Sequence, residues 1–212
     1  MLIFSPELCS PRDPLEVLES TLDSIDLVQV RPKPAGSREP AAAPCAARDV
    51  RDWCLRVLDL LADHPEVDVP VIVDDRVDVA ALLWERGCAG VHVGQDDCPV
   101  APARALLGPG PLIGLSTHDL RQVAQSSDLD VDYVGFGPIH ATRTKGYERG
   151  LGPEACWIAS AASLRPVFAI GGIDRANAAE LSRVGRIAVG SAVLSADDPA
   201  RAARELRGLL EA

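Results

Sequence analysis

Basic charge is scarce in this chain. Its 212 residues carry 21 Lys and Arg against 31 Asp and Glu, a net charge of −10 with a sequence pI near 4.8. That balance argues against nucleic acid or an anionic membrane as a partner, although a local basic cluster can still hold a small phosphate ester. Long hydrophobic runs are also missing. None approaches membrane-spanning length, and the opening residues Met1, Leu2, Ile3 and Phe4 lack the charged region and apolar stretch of a secretory signal. The cysteines, Cys9, Cys45, Cys54, Cys88, Cys98 and Cys156, are scattered and form no Cys-x-x-Cys pair for zinc or redox work. These absences point to a reducing cytoplasm and a small-molecule partner.

What is present is a repeated alternation. Short apolar runs occupy residues 2–4, 27–30, 69–73, 90–93, 112–115, 133–136, 167–170 and 187–189. Stretches with helical spacing occupy 14–22, 50–62, 77–86, 102–107, 120–125, 153–162, 176–183 and 199–210. In the second of these, Trp53, Val57, Leu58 and Leu61 recur at three- and four-residue steps, as one buried helix face requires. Continuous Val, Ile and Leu runs flanked by helices read as parallel strands covered on both faces. Eight such units predict an α/β chain whose residues 1–212 form a single (β/α)8 TIM barrel, the competitor being a doubly wound open sheet with fewer strands. The polar clusters fall after strands, and a barrel gathers such positions at one mouth. Residues 32–47, rich in Pro and Ala, are too short for a domain linker and read as a long active-site loop.

Three polar segments stand out: Val73-Asp74-Asp75-Arg76, Gly94-Gln95-Asp96-Asp97 and Thr142-Arg143-Thr144-Lys145-Gly146. Paired carboxylates suit Mg²⁺, while hydroxyls, a lysine and free backbone amides suit phosphate.

These segments belong to an ordered series. Gln29-Val-Arg-Pro-Lys33, Asp74-Asp75-Arg-Val-Asp-Val-Ala80, Gly90-Val-His-Val-Gly-Gln-Asp-Asp97, Gly114-Leu-Ser-Thr-His118, Asp132-Tyr-Val-Gly-Phe-Gly-Pro138, Thr142-Arg-Thr-Lys145 and Ala169-Ile-Gly-Gly-Ile173 resemble, in this order, the motifs of thiamine-phosphate synthases. The resemblance covers about residues 27–194. It implies a Mg²⁺-dependent transferase that joins a hydroxymethylpyrimidine diphosphate to a thiazole phosphate through a cation-like pyrimidine intermediate, releasing pyrophosphate. Such a reaction needs a stabilised leaving group and aligned reactants rather than a protein nucleophile.

The resemblance also implies roles for single residues. Asp75 and Asp97, each after a strand, would hold Mg²⁺; the plainer reading has Asp75 capping the helix from residue 77 and Asp97 capping the turn before Pro99. Arg31, Lys33, Ser116 and Lys145 would act on the diphosphate, a guanidinium gripping two oxygens and an ammonium adding a point charge. Gln29 would hydrogen-bond the pyrimidine. Thr142, Thr144, Gly172, Gly190 and Ser191 would hold the thiazole phosphate, a frequent duty of the loops after the seventh and eighth strands. His118 lies two residues from Ser116 with no third partner in view, so a nucleophilic triad is not expected and a helix-capping role is. Two features depart from the family: Asp74 stands where asparagine is usual, within reach of the diphosphate, and the 32–47 loop is unusually Pro-rich. Two other readings share the fold. An aromatizing thiazole tautomerase would use His140 as acid and base, and a non-catalytic phosphate-ligand sensor would need no chemistry.

Overall fold

Each apolar run becomes a strand, and the strands follow one another around the sheet in chain order: β1 (Leu2–Phe4), β2 (Val28–Val30), β3 (Val71–Asp74), β4 (Cys88–Val93), β5 (Leu112–Thr117), β6 (Tyr133–Phe136), β7 (Val167–Ile170) and β8 (Ile187–Ala188). The structure, a computed structural model, describes residues 1–33, 45–141 and 149–211. All neighbouring strands are parallel. The sheet closes through a parallel bridge between Leu2 and Val189, where the Ile3 N–H donates to the Val189 carbonyl at 2.8 Å. Closure makes this the (β/α)8 barrel and removes both sheet edges.

The helices are α1 (Pro14–Glu19), α2 (Ala47–Ala62), α3 (Val77–Leu83), α4 (Val100–Leu107), α5 (Leu120–Gln125), α6 (Pro153–Ala162), α7 (Ser191–Leu194) and α8 (Pro199–Glu211). Local chemistry sets several starts. Pro14 opens α1 behind Asp13, whose carboxylate accepts from the Leu15 N–H at 2.8 Å, and Pro153 opens α6. Along α2, Val50, Cys54 and Val57 are buried at four- and three-residue steps. These join Val28, Val30, Val73, Val91 and Val93 in the core between sheet and helices, while Ile72 and Tyr133 belong to a smaller cluster inside the barrel. Strand alternation explains the division, because successive side chains point to opposite faces.

Three expected helices are shorter than their patterns, the 77–86 stretch ending as α3 at Leu83 with a 3-10 turn, Trp84–Arg86, after it. The 176–183 stretch yields one 3-10 turn, Ala178–Leu181, because local side-chain bonds compete with the helix: Asp174 Oδ1 accepts from the Ala176 N–H and Asn177 Oδ1 from the Asp174 N–H. The 14–22 stretch ends as α1 at Glu19, where the Ser20 and Thr21 hydroxyls donate back to the Val17 and Leu18 carbonyls. The third strand begins at Val71 rather than residue 69, since Pro70 has no N–H for a ladder. Most of the Pro-rich 32–47 loop lies outside the described residues. Among the described residues no helix is long and apolar enough to cross a membrane.

Candidate active site

The carboxyl ends of β2 to β5 bring one charged cluster together. Gln29 lies in β2 and Arg31 just beyond it, with the Arg31 N–H donating to the Phe4 carbonyl at 2.8 Å and the Arg31 carbonyl accepting from the Ser5 hydroxyl at 2.9 Å. Backbone anchorage on both sides sets where the guanidinium emerges. Its Nε lies 2.7 Å from Asp74 Oδ2 at the end of β3, and Asp74 Oδ1 accepts from the Gln29 amide. Asp74 is thus joined to two of the groups expected to meet the pyrimidine diphosphate.

Asp75 follows at φ +60, a left-handed conformation that Asp tolerates better than most residues. Its N–H donates to the His92 carbonyl at 2.8 Å, and its side chain lies near enough to Asp97 for the two carboxyls to influence one another's protons. Burial, then the charges of Asp74 and Asp97, pushes the Asp75 carboxyl up to about 8, with Arg31 pulling the other way. Asp97 folds back so that its Oδ2 accepts from the Gly94 N–H at 2.7 Å, an approach that a Cβ at Gly94 would obstruct. Among the described residues no side chain caps α3, so Asp75 is not spent on capping, and Asp97 closes its own turn. Two hard oxygen donors pressed together until one keeps its proton fit a divalent cation, which would relieve their repulsion. No group of three or more His, Cys, Asp or Glu suited to a metal occurs among the described residues, so phosphate and water oxygens would have to complete the shell.

Ser116, near the end of β5, has a histidine partner, and it is not His118. Its Oγ lies 2.9 Å from His92 Nε2, and His92 Nδ1 lies 2.9 Å from the Tyr133 hydroxyl. The Gln95 amide donates to the Ser116 carbonyl at 2.6 Å. The His118 ring instead bonds the Gly137 carbonyl at 2.7 Å. The expected capping role falls to Asp119, whose carboxylate accepts from the Gln122 N–H at 2.7 Å. The signal for His92 was the alternation in Gly90-Val-His-Val, which sets Gly90 and His92 on the inward face of β4.

On the opposite side, Gly172 has φ +63, and a Cβ there would stand 2.6 Å from the Ala141 carbonyl oxygen and 2.9 Å from His140 Cβ. The chain entering residue 142 therefore lies against the turn after β7. Thr142, Thr144 and Lys145 are outside the described residues. Gly190 flanks α7 after β8, and Ser191 is exposed as the first residue of that helix. His140 Nε2 lies 3.8 Å from Glu180 Oε2, and the Lys33 N–H donates to Glu7 Oε2 at 3.4 Å. Lys33 and Lys145 are the only lysines in the sequence, a compositional signal that singles out both.

Residues 1–193 match the thiamine monophosphate synthase family. The thiamine-phosphate synthase of Chlorobium luteolum is 38% identical over 215 residues, covering 97% of this chain and 93% of that protein. The thiamine-phosphate synthase of Gloeobacter violaceus is 41% identical over 190 residues, covering 88% of this chain but 51% of its own length, so the chain spans about half of that relative. A solved thiamine phosphate pyrophosphorylase from Pyrococcus furiosus superposes with a TM-score of 0.78 at 27% identity, covering 99% of this chain and 94% of the other. With motifs, closed barrel and mouth cluster in agreement, the chain belongs to the thiamine monophosphate synthase family.

Proposed function

We propose that this chain, acting as one domain over residues 1–212, joins a hydroxymethylpyrimidine diphosphate to a thiazole phosphate, forming thiamine phosphate and pyrophosphate with Mg²⁺. The observation that carries this reading is the packing of Arg31, Asp74, Asp75 and Asp97 into one charged cluster at the barrel mouth. A tautomerase gives those four residues no common task, and a phosphate-ligand sensor would bind the substrates without consuming them.

In the proposed reaction the bond between the pyrimidine methylene carbon and the diphosphate oxygen breaks, and its electron pair leaves with the diphosphate. The thiazole nitrogen then supplies the pair for the new C–N bond. Arg31, Lys33, Ser116 and Lys145 hold the departing diphosphate, and Gln29 orients the pyrimidine. Thr142, Thr144, Gly172, Gly190 and Ser191 hold the thiazole phosphate so that its nitrogen faces the reacting carbon. Asp75 and Asp97 would hold Mg²⁺, which when bound neutralises charge on the diphosphate. Free thiols at all six cysteines suit the reducing cytoplasm proposed as its compartment.

The test is to incubate purified protein with both substrates and Mg²⁺ and measure thiamine phosphate. Product should appear, disappear on chelation, and return with added Mg²⁺. A folded protein that consumes neither substrate, with or without Mg²⁺, would overturn the reading.

A further inference from the structure

Inside the barrel, beneath the charged mouth, three side chains from three successive strands form a hydrogen-bonded line. Strand register puts His92 of β4 level with Gly114 of β5, and Gly114 level with Tyr133 of β6. The glycine lets its two neighbours meet: a Cβ at Gly114 would stand 2.1 Å from Tyr133 Cζ and 2.5 Å from His92 Nδ1. Gly135 lies against the other edge of the ring, where a Cβ would come within 3.4 Å of His92 Cε1, close to ordinary contact. Across this gap the Tyr133 hydroxyl meets His92 Nδ1 at 2.9 Å, and His92 Nε2 meets Ser116 Oγ at 2.9 Å. Tyr133 and His92 are 5% and 6% exposed, so water does not readily substitute for either bond.

The polarity of the line follows from counting protons. Among the described residues, His92 Nδ1 is the one hydrogen-bond partner of the Tyr133 hydroxyl. A buried hydroxyl must donate its proton or leave it unsatisfied. Burial also holds the phenol well above its ordinary pKa of 10, so the proton is present to donate. Tyr133 therefore donates to Nδ1, the imidazole is neutral with its proton on Nε2, and Nε2–H donates to Ser116 Oγ. With an Oγ lone pair occupied by that bond, the serine hydroxyl proton remains available to point into the mouth. The opposite polarity would strand the tyrosine proton in the barrel and make Ser116 spend its own proton on the histidine.

We infer that Tyr133 and His92 are positioning residues that hold Ser116 as a hydrogen-bond donor to an oxygen of the departing diphosphate. The inference rests on the proposed reaction and deepens it. No proton is transferred and no covalent bond to the protein forms; the line orients one donor before the leaving group develops charge.

The test has two parts. Selective ¹⁵N labelling of histidine, with His92 assigned through His92→Gln, reads the tautomer in the wild-type protein without requiring activity. The expected result is a protonated Nε2 and an unprotonated Nδ1 in the substrate-free protein at neutral pH; the opposite tautomer or an imidazolium overturns the inference. The second part is kinetic. Tyr133→Phe should lower kcat about tenfold with KM for both substrates within about twofold, and adding it to Ser116→Ala should lower kcat no further. An equal loss in the Ser116→Ala background would mean Tyr133 acts on packing rather than through Ser116, and would also overturn the inference. If the wild-type protein makes no product, the proposed reaction fails while the tautomer measurement still stands or falls by itself.

Discussion

Replacing Asp74 by Asn tests how the charged mouth is balanced. Asp74 Oδ2 sits 2.7 Å from Arg31 Nε, and the two side chains are 13% and 22% exposed. A diphosphate oxygen gripped by the same guanidinium would stand about 5 to 6 Å from the Asp74 carboxylate, where two unit charges repel by about 3 kcal/mol at an effective dielectric near 20. Partial solvent access and the loss of the bond that orients Arg31 reduce the net gain on removing the charge to about 1 kcal/mol, or roughly fivefold in affinity. Asp74→Asn keeps the shape and the Gln29 contact while removing that charge. Calorimetric titration with pyrophosphate at fixed Mg²⁺ should therefore give tighter binding for the variant. Weaker binding by a normally folded variant would refute the reasoning, because orientation of Arg31 by Asp74 would then outweigh repulsion.

The remaining predictions concern protons, packing and thiols. In the folded chain Asp75 holds its proton up to about 8 against an ordinary value of 3.8, so the stabilisation this gives is complete below pH 3.8 and is lost as pH rises towards 8. In chelator, melting temperature should fall across that window, and Asp75→Asn should flatten the fall; parallel profiles would contradict the assignment. Gly114→Ala, with its Cβ 2.1 Å from Tyr133 Cζ, should destabilise the fold by about 1–3 kcal/mol in denaturant titration, whereas Gly108→Ala, with nothing within 4 Å but φ +77, should strain only its backbone and leave the His92 signals unchanged. Burial pushes the Cys9 thiol up to about 11 and Cys156 up to about 12, and raises Cys54 and Cys88 as well. Alkylation at pH 8 should mark the partly exposed Cys45 and Cys98 first and reach the other four only on unfolding, as mass spectrometry of labelled peptides would show.

The barrel was legible because its signal is redundant. Eight apolar runs each had to be buried on both faces, and the shifts at Pro70 and Thr117 move strand ends without changing the order. The 176–183 helix was misread because apolar spacing does not register the Asx bonds of Asp174 and Asn177. At the mouth, sequence order pointed to Asp75 and Asp97 as residues at strand ends, and their carboxylates meet. The Asp74 ion pair with Arg31 and the His92 bond to Ser116 were not legible, since each depends on register between strands 43 and 24 positions apart in the chain. His118 is the histidine nearest Ser116 in sequence, but strand alternation and the empty space at Gly114 bring His92 to it instead.

The most direct test of the central claim is the stoichiometry of a single reaction. Purified protein is mixed with the pyrimidine diphosphate, the thiazole phosphate and Mg²⁺, and thiamine phosphate and pyrophosphate are measured together over time. The account predicts that both appear in equal amounts, that omitting either substrate or Mg²⁺ abolishes thiamine phosphate, and that Asp97→Ala does the same. Thiamine phosphate formed at the wild-type rate without Mg²⁺ or by Asp97→Ala, or pyrophosphate released with no thiamine phosphate when every component is present, would contradict it.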